Sequence, residues 1–432
     1  MVGRKKTTKI CDKASHEEEE DRISQLPESL ISEILYHLPT KDVVTTSVLS
    51  TRWRNLWQSV PGLDLDYVPS SQFDDFVSFV EKLFNSNRES WIRKLRLNLR
   101  RPSGTFDLTS RVDAVTRRRV QHLDVTCYCI SDPIPLSIYT CETLVHLRLQ
   151  SGFLPSPDFV SLPRLKFIHL ECVSYSDEST LEKLISGSPV LEDLTLIGFS
   201  THTEKVTQVR SHSLKRIHIR QLRVVIDAPL LQCLKIGTIK NYDIVNLGFF
   251  TKLDIDVEFV GHSSSYYIPD ILTDISKVRD LVIGNAFWQD IFLYSKSGPV
   301  LQFRNLSRLN ARLSKSDLEL LPLILESCTK LESLTLELVK DKSKSREKKK
   351  NPNVMFSTVP QCLVTSLKFV ELKRSIPGYE EEIKLIRYLL KNSTILEKLR
   401  LNVYYSKKAM CDFLKEVVAM PRGSTACEVL VL

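Results

Sequence analysis

The chain has 432 residues, of which 42% are hydrophobic and 26% charged, and its 60 basic and 52 acidic residues give a net charge of +8. This length exceeds what a single compact core usually holds, so we expect several domains or an elongated repeat. No run of 18 apolar residues occurs and no apolar segment follows the basic N-terminus, so we expect no transmembrane helix, no membrane partner and no secretory signal.

The N-terminal residues divide into a charged tail and a short apolar unit. Residues 1–20 carry a basic cluster and then the acidic run Glu17–Glu20, which predicts a disordered tail. From Asp21 to Trp57 apolar residues follow helical spacing and predict three short helices. The helices are predicted to begin after Leu26-Pro27, at an N-cap on Thr40, and at an N-cap on Ser50 or Thr51. About forty residues bury too little surface to be stable alone, so this unit predicts a partner surface.

The ordered pattern LP…IL…LP…KD…SVLS…RWRNLW between Leu26 and Trp57 resembles an F-box of the plant type. We place this domain at residues 21–67, which include a short first strand. The resemblance implies that it docks on a Skp-type adaptor attached to a cullin. The side chains expected to contact the adaptor are Leu26, Pro27, Ile34, Leu38, Pro39, Val44, Val48, Leu49 and Trp53. The alternative is an ordinary three-helix cap on a larger domain, and some of these residues are expected only to hold the helices together.

After an amphipathic helix predicted from Phe73 to Phe84, one pattern recurs: apolar, two variable, apolar, one variable, apolar. Its copies begin at Ile92, Val120, Leu144, Leu165, Leu191, Leu214, Leu231, Phe250, Val278, Leu306, Leu331, Leu367 and Leu396, with a final copy at Cys427. Most starts are about 20–29 residues apart, the period of leucine-rich repeats. No single copy covers its own apolar side, so we predict an α/β fold for residues 68–339. It is an irregular leucine-rich-repeat solenoid of parallel strands and helices.

Alternation along each strand separates buried from exposed positions. The first, fourth and sixth residues of a copy point into the core, and the third and fifth point onto the inner face of the arc. The candidate substrate-binding residues on or beside this face are Arg96, Arg148, Arg216, His218 and Arg220. Each one alone is typical of a solvated strand residue. Together they are mainly basic, which favours an acidic partner segment by electrostatic complementarity.

A lysine-rich stretch, KDKSKSREKKK from Lys340 to Lys350, interrupts the repeats. Its charge predicts a flexible loop over residues 340–356, with nucleic-acid binding or nuclear import as alternatives. Beyond it, VPQCL from Val359, SLKFVEL from Ser366 and EEEI from Glu380 resemble the FBD domain of plant F-box proteins with leucine-rich repeats. We place this domain at residues 357–432, where it continues the repeat.

Motifs of enzyme chemistry are not found in the sequence. It contains no GxxxxGKS/T phosphate loop, GxGxxG turn, HExxH helix or GxSxG elbow, and its nine histidines are dispersed. The ten cysteines form no CxxC pair, so we expect no metal site and a reducing compartment, the cytosol, the nucleus or both. No cofactor is predicted.

The resemblance implies a non-catalytic substrate-recognition subunit of an SCF-type (Skp–cullin–F-box) E3 ubiquitin ligase. Its F-box is expected to bind the Skp-type adaptor, and its repeats a protein substrate. One alternative is a non-degradative repeat scaffold that binds nucleic acid or an acidic protein through its basic face. Another is capture of a small molecule in the arc, for which the sequence offers no pocket signature.

Overall fold

The computed structural model of the protein describes the chain in separate stretches. They are residues 23, 25–68, 72–86, 91–100, 104–128, 133–177, 179–198, 207–220, 224–237, 242–247, 252–256, 278–284, 302–314, 318, 320–339, 356, 358–375, 380–403 and 407–432. The predicted tail at residues 1–20 lies outside the described residues, as does the predicted basic loop at 340–356 apart from Phe356.

The N-terminal unit contains α1 (Glu28–Tyr36), α2 (Thr40–Thr45) and two 3-10 helices, Thr46–Val48 and Leu56–Ser59. The last helical segment begins later than the predicted cap at Ser50 or Thr51. Two turns come first, because the Trp53 N–H donates to the Ser50 carbonyl and the Leu56 N–H donates to the Trp53 carbonyl. The unit has a small apolar core of its own, formed by Ile31, Leu35, Val43, Trp53, Leu56 and Val60.

Within the described residues, 15 strands form one parallel sheet, with strands from successive repeats side by side. Its strands, in order across the sheet, are β1 (Gly62–Tyr67), β2 (Lys94–Leu99), β3 (His122–Cys127), β4 (His146–Leu154), β5 (Phe167–Tyr175), β6 (Asp193–Ile197), β8 (Arg216–Arg220), β10 (Cys233–Gly237), β12 (Lys252–Asp256), β13 (Asp280–Ile283), β14 (Arg308–Ser314), β15 (Ser333–Val339), β16 (Phe369–Ser375), β17 (Lys398–Val403) and β18 (Glu428–Val431). This confirms the predicted repeat architecture.

The repeat positions determine what is buried. Leu191, Leu194 and Leu196 occupy the first, fourth and sixth positions of one copy and have no exposed surface. Equivalent residues of most other described copies join them in one continuous core. The helices between the strands are α3 (Phe73–Ser86), α4 (Leu108–Arg117), the 3-10 helix Leu136–Thr140, α5 (Ser179–Ser186), α6 (Leu321–Glu326), α7 (Gln361–Thr365), α8 (Glu380–Asn392) and α9 (Lys407–Val418).

The predicted final copy is wrong by one residue: Cys427 is buried, but Leu430 is partly exposed and Leu432 is 66% exposed. The reason is the strand register, which aligns Val429 and Val431 with the buried Leu399 and Leu401.

Three repeats carry a second strand in addition to the one in the main sheet. Strands β7 (Thr207–Arg210), β9 (Val224–Ala228) and β11 (Tyr242–Leu247) form a separate parallel sheet. In β9, Val224, Ile226 and Ala228 are buried and alternate with partly exposed residues. That period of two is typical of a strand.

Thr40 joins the N-terminal unit to the sheet and does not act as the predicted N-cap. Pro39 occupies the N-cap position of α2. The Thr40 Oγ1 instead accepts a hydrogen bond of 2.7 Å from the backbone N–H of Asp64 in β1. Because β1 is the first strand of the sheet, no other strand of the described residues lies on the outer side of this N–H. The N-terminal unit therefore covers the end of the solenoid.

Candidate functional site

The first candidate surface is the apolar face of the N-terminal unit. Helix α1 is apolar on two sides: Ile31 and Leu35 are buried in the small core, whereas Leu30 and Ile34 are exposed. The segment after α2 presents two more aliphatic side chains, Val48 with 79% and Leu49 with 66% of their surface exposed. Four exposed large aliphatic side chains in so small a unit are candidates for burial against another polypeptide.

The nine predicted adaptor contacts differ in their exposure. The exposed ones are Pro27, Ile34, Leu38, Pro39, Val48 and Leu49, and Leu26 and Val44 are partly buried. Trp53 differs from them, because it is only 5% exposed and packs inside the small core. Its burial favours a structural role, and direct contact of Trp53 with an adaptor stays a prediction. Leu30 is also exposed, although it is not among the nine predicted contacts. Its position on the same helix as Ile34 is the feature of the sequence that could have identified it.

The second candidate surface, here called the strand face, is formed by the third and fifth residues of the repeat copies. Parallel pairing in one register aligns these residues across neighbouring strands. Arg96 therefore lies between Asp64 on β1 and Asp124 on β3, and Asp124 in turn lies beside Arg148 on β4. The fifth-position row thus begins with alternating charges.

Ion pairs between neighbouring strands follow from this register. The pairs among the candidate residues are Arg96 Nη1 to Asp64 Oδ1 at 3.1 Å, Arg148 Nη1 to Asp124 Oδ2 at 3.4 Å, and Arg216 Nε to Asp193 Oδ2 at 2.7 Å. The attraction of the Asp64 carboxylate raises the pKa of Arg96, and the hydrogen bond to Asp193 raises the pKa of Arg216. Each guanidinium is thus matched by a neighbouring carboxylate.

The remaining candidates lie on β8 with Arg216. His218 is half-buried, and this burial lowers its pKa, with the positive charge of Lys235 adding to the effect. Arg220 is exposed at the end of the strand. The structure therefore brings Arg216, His218 and Arg220 together on one strand. Arg96 and Arg148 lie on other strands, so the five residues form no single basic cluster.

The pairing continues along the sheet. Further pairs across neighbouring strands are Arg308 with Asp280 at 3.5 Å, Arg312 with Glu337 at 3.0 Å and Lys398 with Glu428 at 3.4 Å. Much of the positive charge predicted for this surface is therefore neutralised within the protein. The expected preference for an acidic partner loses its main support, although a role of the five residues in substrate binding stays a prediction.

Neither a membrane-spanning helix nor a metal-binding cluster is found in the described part of the chain. Within the described stretches, no helix has the length and apolarity needed to cross a membrane. The same stretches hold no group of three or more histidine, cysteine or carboxylate side chains placed to bind a metal ion.

An exposed apolar helical unit on the end of a parallel leucine-rich-repeat solenoid defines the class of F-box proteins with leucine-rich repeats. Three family models match the chain: the F-box domain at residues 23–64, the repeats of the FBD-associated F-box protein At5g56370 at 108–245, and the FBD domain at 356–401. The resemblances read from the sequence are thereby confirmed. The domain boundaries given above stay predictions.

Relatives from Arabidopsis thaliana are similar over nearly the whole chain. The F-box/FBD/LRR-repeat protein At1g51370 is 62% identical, with 100% of both chains covered, and the F-box/FBD/LRR-repeat protein At5g53840 is 48% identical over 98% of each. F-box/LRR-repeat protein 13 is 38% identical and covers 97% of this chain. The chain belongs to the plant F-box/FBD/LRR-repeat family.

Proposed function

We propose that the protein is a substrate-recognition subunit of an SCF-type E3 ubiquitin ligase. The observation that carries this proposal is that the F-box has apolar side chains both in its own core and on its exposed surface. Its small core is closed by Trp53 and Leu56, while Leu30, Ile34, Val48 and Leu49 stay exposed on its surface. Burying those side chains against a Skp-type adaptor would remove apolar surface from water, and each aliphatic side chain that becomes fully buried contributes about 1.5–3 kcal/mol.

In this proposal the protein catalyses no bond formation. The F-box binds the adaptor and, through it, a cullin, and the strand face binds the protein to be ubiquitinated. Because Thr40 of the F-box bonds directly to β1, a substrate on the strand face is held at a set distance from the adaptor. Tethering raises the effective concentration of substrate lysines near the ubiquitin-charged enzyme of the complex. We further propose that the protein acts in the cytosol, the nucleus or both.

The competing function is a repeat scaffold that binds nucleic acid without assembling a ligase. Nucleic-acid binding relies on unneutralised lysine and arginine side chains that contact phosphates. The cross-strand pairs of Arg96, Arg148 and Arg216 with carboxylates oppose this use of the strand face. The ligase proposal needs no net charge on that face.

The experiment is co-purification of the full-length chain with a Skp-type adaptor and a cullin. Point variants serve better than deletion of the F-box, because deletion would remove Thr40 and expose the outer edge of β1. The wild-type chain should retain both partners, and V48A/L49A should lose both while keeping its melting temperature. A parallel titration with a fluorescent single-stranded RNA of mixed sequence tests the scaffold. Tight, salt-sensitive RNA binding without adaptor binding would reject the ligase proposal.

A further inference from the structure

A row of mainly aromatic side chains crosses the first five strands, at the third position of the six-residue repeat pattern. The register aligns Gly62, Lys94, His122, His146 and Phe167 from β1 to β5. Gly62 has no side chain of its own, but the ring of Tyr36 from α1 lies over it, because a Cβ added there would meet the Tyr36 ring at 2.9 Å. We call the set of Tyr36, Lys94, His122, His146 and Phe167 the ring ledge.

The members of the ring ledge are close enough to form one surface. The Lys94 Nζ lies 5.8 Å from the centre of the Tyr36 ring, within the range of a cation–π interaction. The ring centres of His122 and His146 are 6.1 Å apart, and those of His146 and Phe167 are 5.7 Å apart. His122 is exposed, and the other four are partly exposed. The ledge therefore runs from the F-box onto the solenoid with ring surface accessible to a partner.

The chemistry of the ledge is mainly aromatic and weakly charged. Burial lowers the pKa of both His122 and His146, which favours neutral imidazole rings at neutral pH. Lys94 is its one fixed charge, and its Nζ lies 4.0 Å from the Asp64 carboxylate. In the adjacent fifth-position row, Arg96 and Arg148 are already paired with carboxylates. A strongly charged ligand would gain little here, whereas aromatic side chains can stack on the rings and on the lysine.

We propose that the ring ledge binds an extended substrate segment that carries aromatic side chains. This inference rests on the proposed function and names the class of substrate for it. The ledge spans four strand spacings, which at ~4.8 Å each amounts to ~19 Å. A fully extended segment of about six residues has this length. Tryptophan and tyrosine are also among the side chains enriched at the energetic centres of protein interfaces.

The test uses the full-length chain in complex with its adaptor, and the probe is a library of random 12-residue peptides displayed on phage. We expect enriched peptides to carry two or more aromatic residues. A synthetic copy of an enriched peptide should bind H146A/F167A about tenfold more weakly than wild type, since ring–ring contacts are lost. The matched control is H212A/F369A, which removes the same two side-chain types. His212 is exposed in a bend, and Phe369 is the third residue of the copy that begins at Leu367, on β16 and far from the ledge along the sheet.

Because His146 and Phe167 are partly buried, folding is checked by circular dichroism. H146Q/F167L serves as a second variant that removes both rings and keeps most of the side-chain volume. Absence of enrichment, enrichment of peptides without aromatic residues, or equal binding by wild type and both ledge variants overturns the inference. Adaptor binding is measured on the same samples. A chain that binds the adaptor but no aromatic peptide contradicts the ring ledge alone, whereas a chain that does not bind the adaptor contradicts the proposed ligase function.

Discussion

Val48 and Leu49 allow adaptor binding to be separated from folding. Their exposed fractions are 79% and 66%, and neither belongs to the small core of the F-box. Full burial of an aliphatic side chain contributes about 1.5–3 kcal/mol, so burying the exposed part of each contributes about 1–2 kcal/mol. Because alanine keeps the Cβ atom, V48A/L49A should lose about 2–3 kcal/mol of binding free energy, a rise in Kd of about 30- to 150-fold. Its free energy of unfolding should change by less than about 0.5 kcal/mol per substitution, as expected for surface sites.

The assay is isothermal titration of the full-length chain with a Skp-type adaptor, accompanied by thermal melting of each variant. The matched control is L136A/V418A, which truncates the same two side-chain types at exposed positions outside the F-box, 56% and 71% exposed respectively. The control should bind the adaptor like wild type. The reasoning is refuted if V48A/L49A binds with an unchanged Kd, or if it binds weakly only because the F-box has unfolded.

Three further outcomes test the packing and electrostatics. W53A should lower the free energy of unfolding of the F-box by about 3–5 kcal/mol in urea, since Trp53 fills its core. Weakened adaptor binding with unchanged stability would instead show that Trp53 contacts the adaptor directly. A double-mutant cycle on Arg96 and Asp64 should give a coupling of about 0.5–1 kcal/mol that falls with added salt, and a zero coupling at low salt would deny the ion pair. The Asp107 carboxylate caps α4 by accepting a hydrogen bond of 2.9 Å from the Ser110 N–H, so D107A should cost about 1 kcal/mol. The hydrogen bonds from Ser110 lower the pKa of Asp107. The stabilisation by the cap is therefore fully present above the ordinary aspartate pKa near 4, and it disappears as pH falls through the lowered pKa of Asp107. A cost of D107A that stays constant down to pH 2 would contradict the cap.

Local patterns made much of the fold predictable from sequence. The six-residue repeat pattern identified buried positions such as Leu194 and Leu196, because the period of a strand sets which side chains point inward. The density of apolar residues between Leu26 and Trp57 likewise indicated a unit too small to bury all of its apolar surface. Both inferences need only the spacing of neighbouring residues along the chain.

Features that depend on distant residues could not be predicted in the same way. Arg96 pairs with Asp64, 32 positions earlier, only because the two strands are in register. Thr40 has the side chain of an ordinary N-cap, yet its oxygen accepts from Asp64 because the F-box packs against the edge of β1. The resemblance to an F-box includes Trp53 among the adaptor contacts, and the sequence alone does not separate a tryptophan that fills a core from one that contacts a partner. The burial of Trp53 emerges only when the turns before Leu56 direct it inward.

One measurement tests most directly whether the exposed apolar face of the F-box is an adaptor site. The full-length chain is mixed with a purified Skp-type adaptor at micromolar concentration, separated by size-exclusion chromatography, and its mass is measured by light scattering. The account predicts a single peak with the mass of a one-to-one complex, with Leu30, Val48 and Leu49 protected from hydrogen exchange at their amides when the adaptor is present. Two separate peaks, with the chain monodisperse and its exchange unchanged, would contradict it.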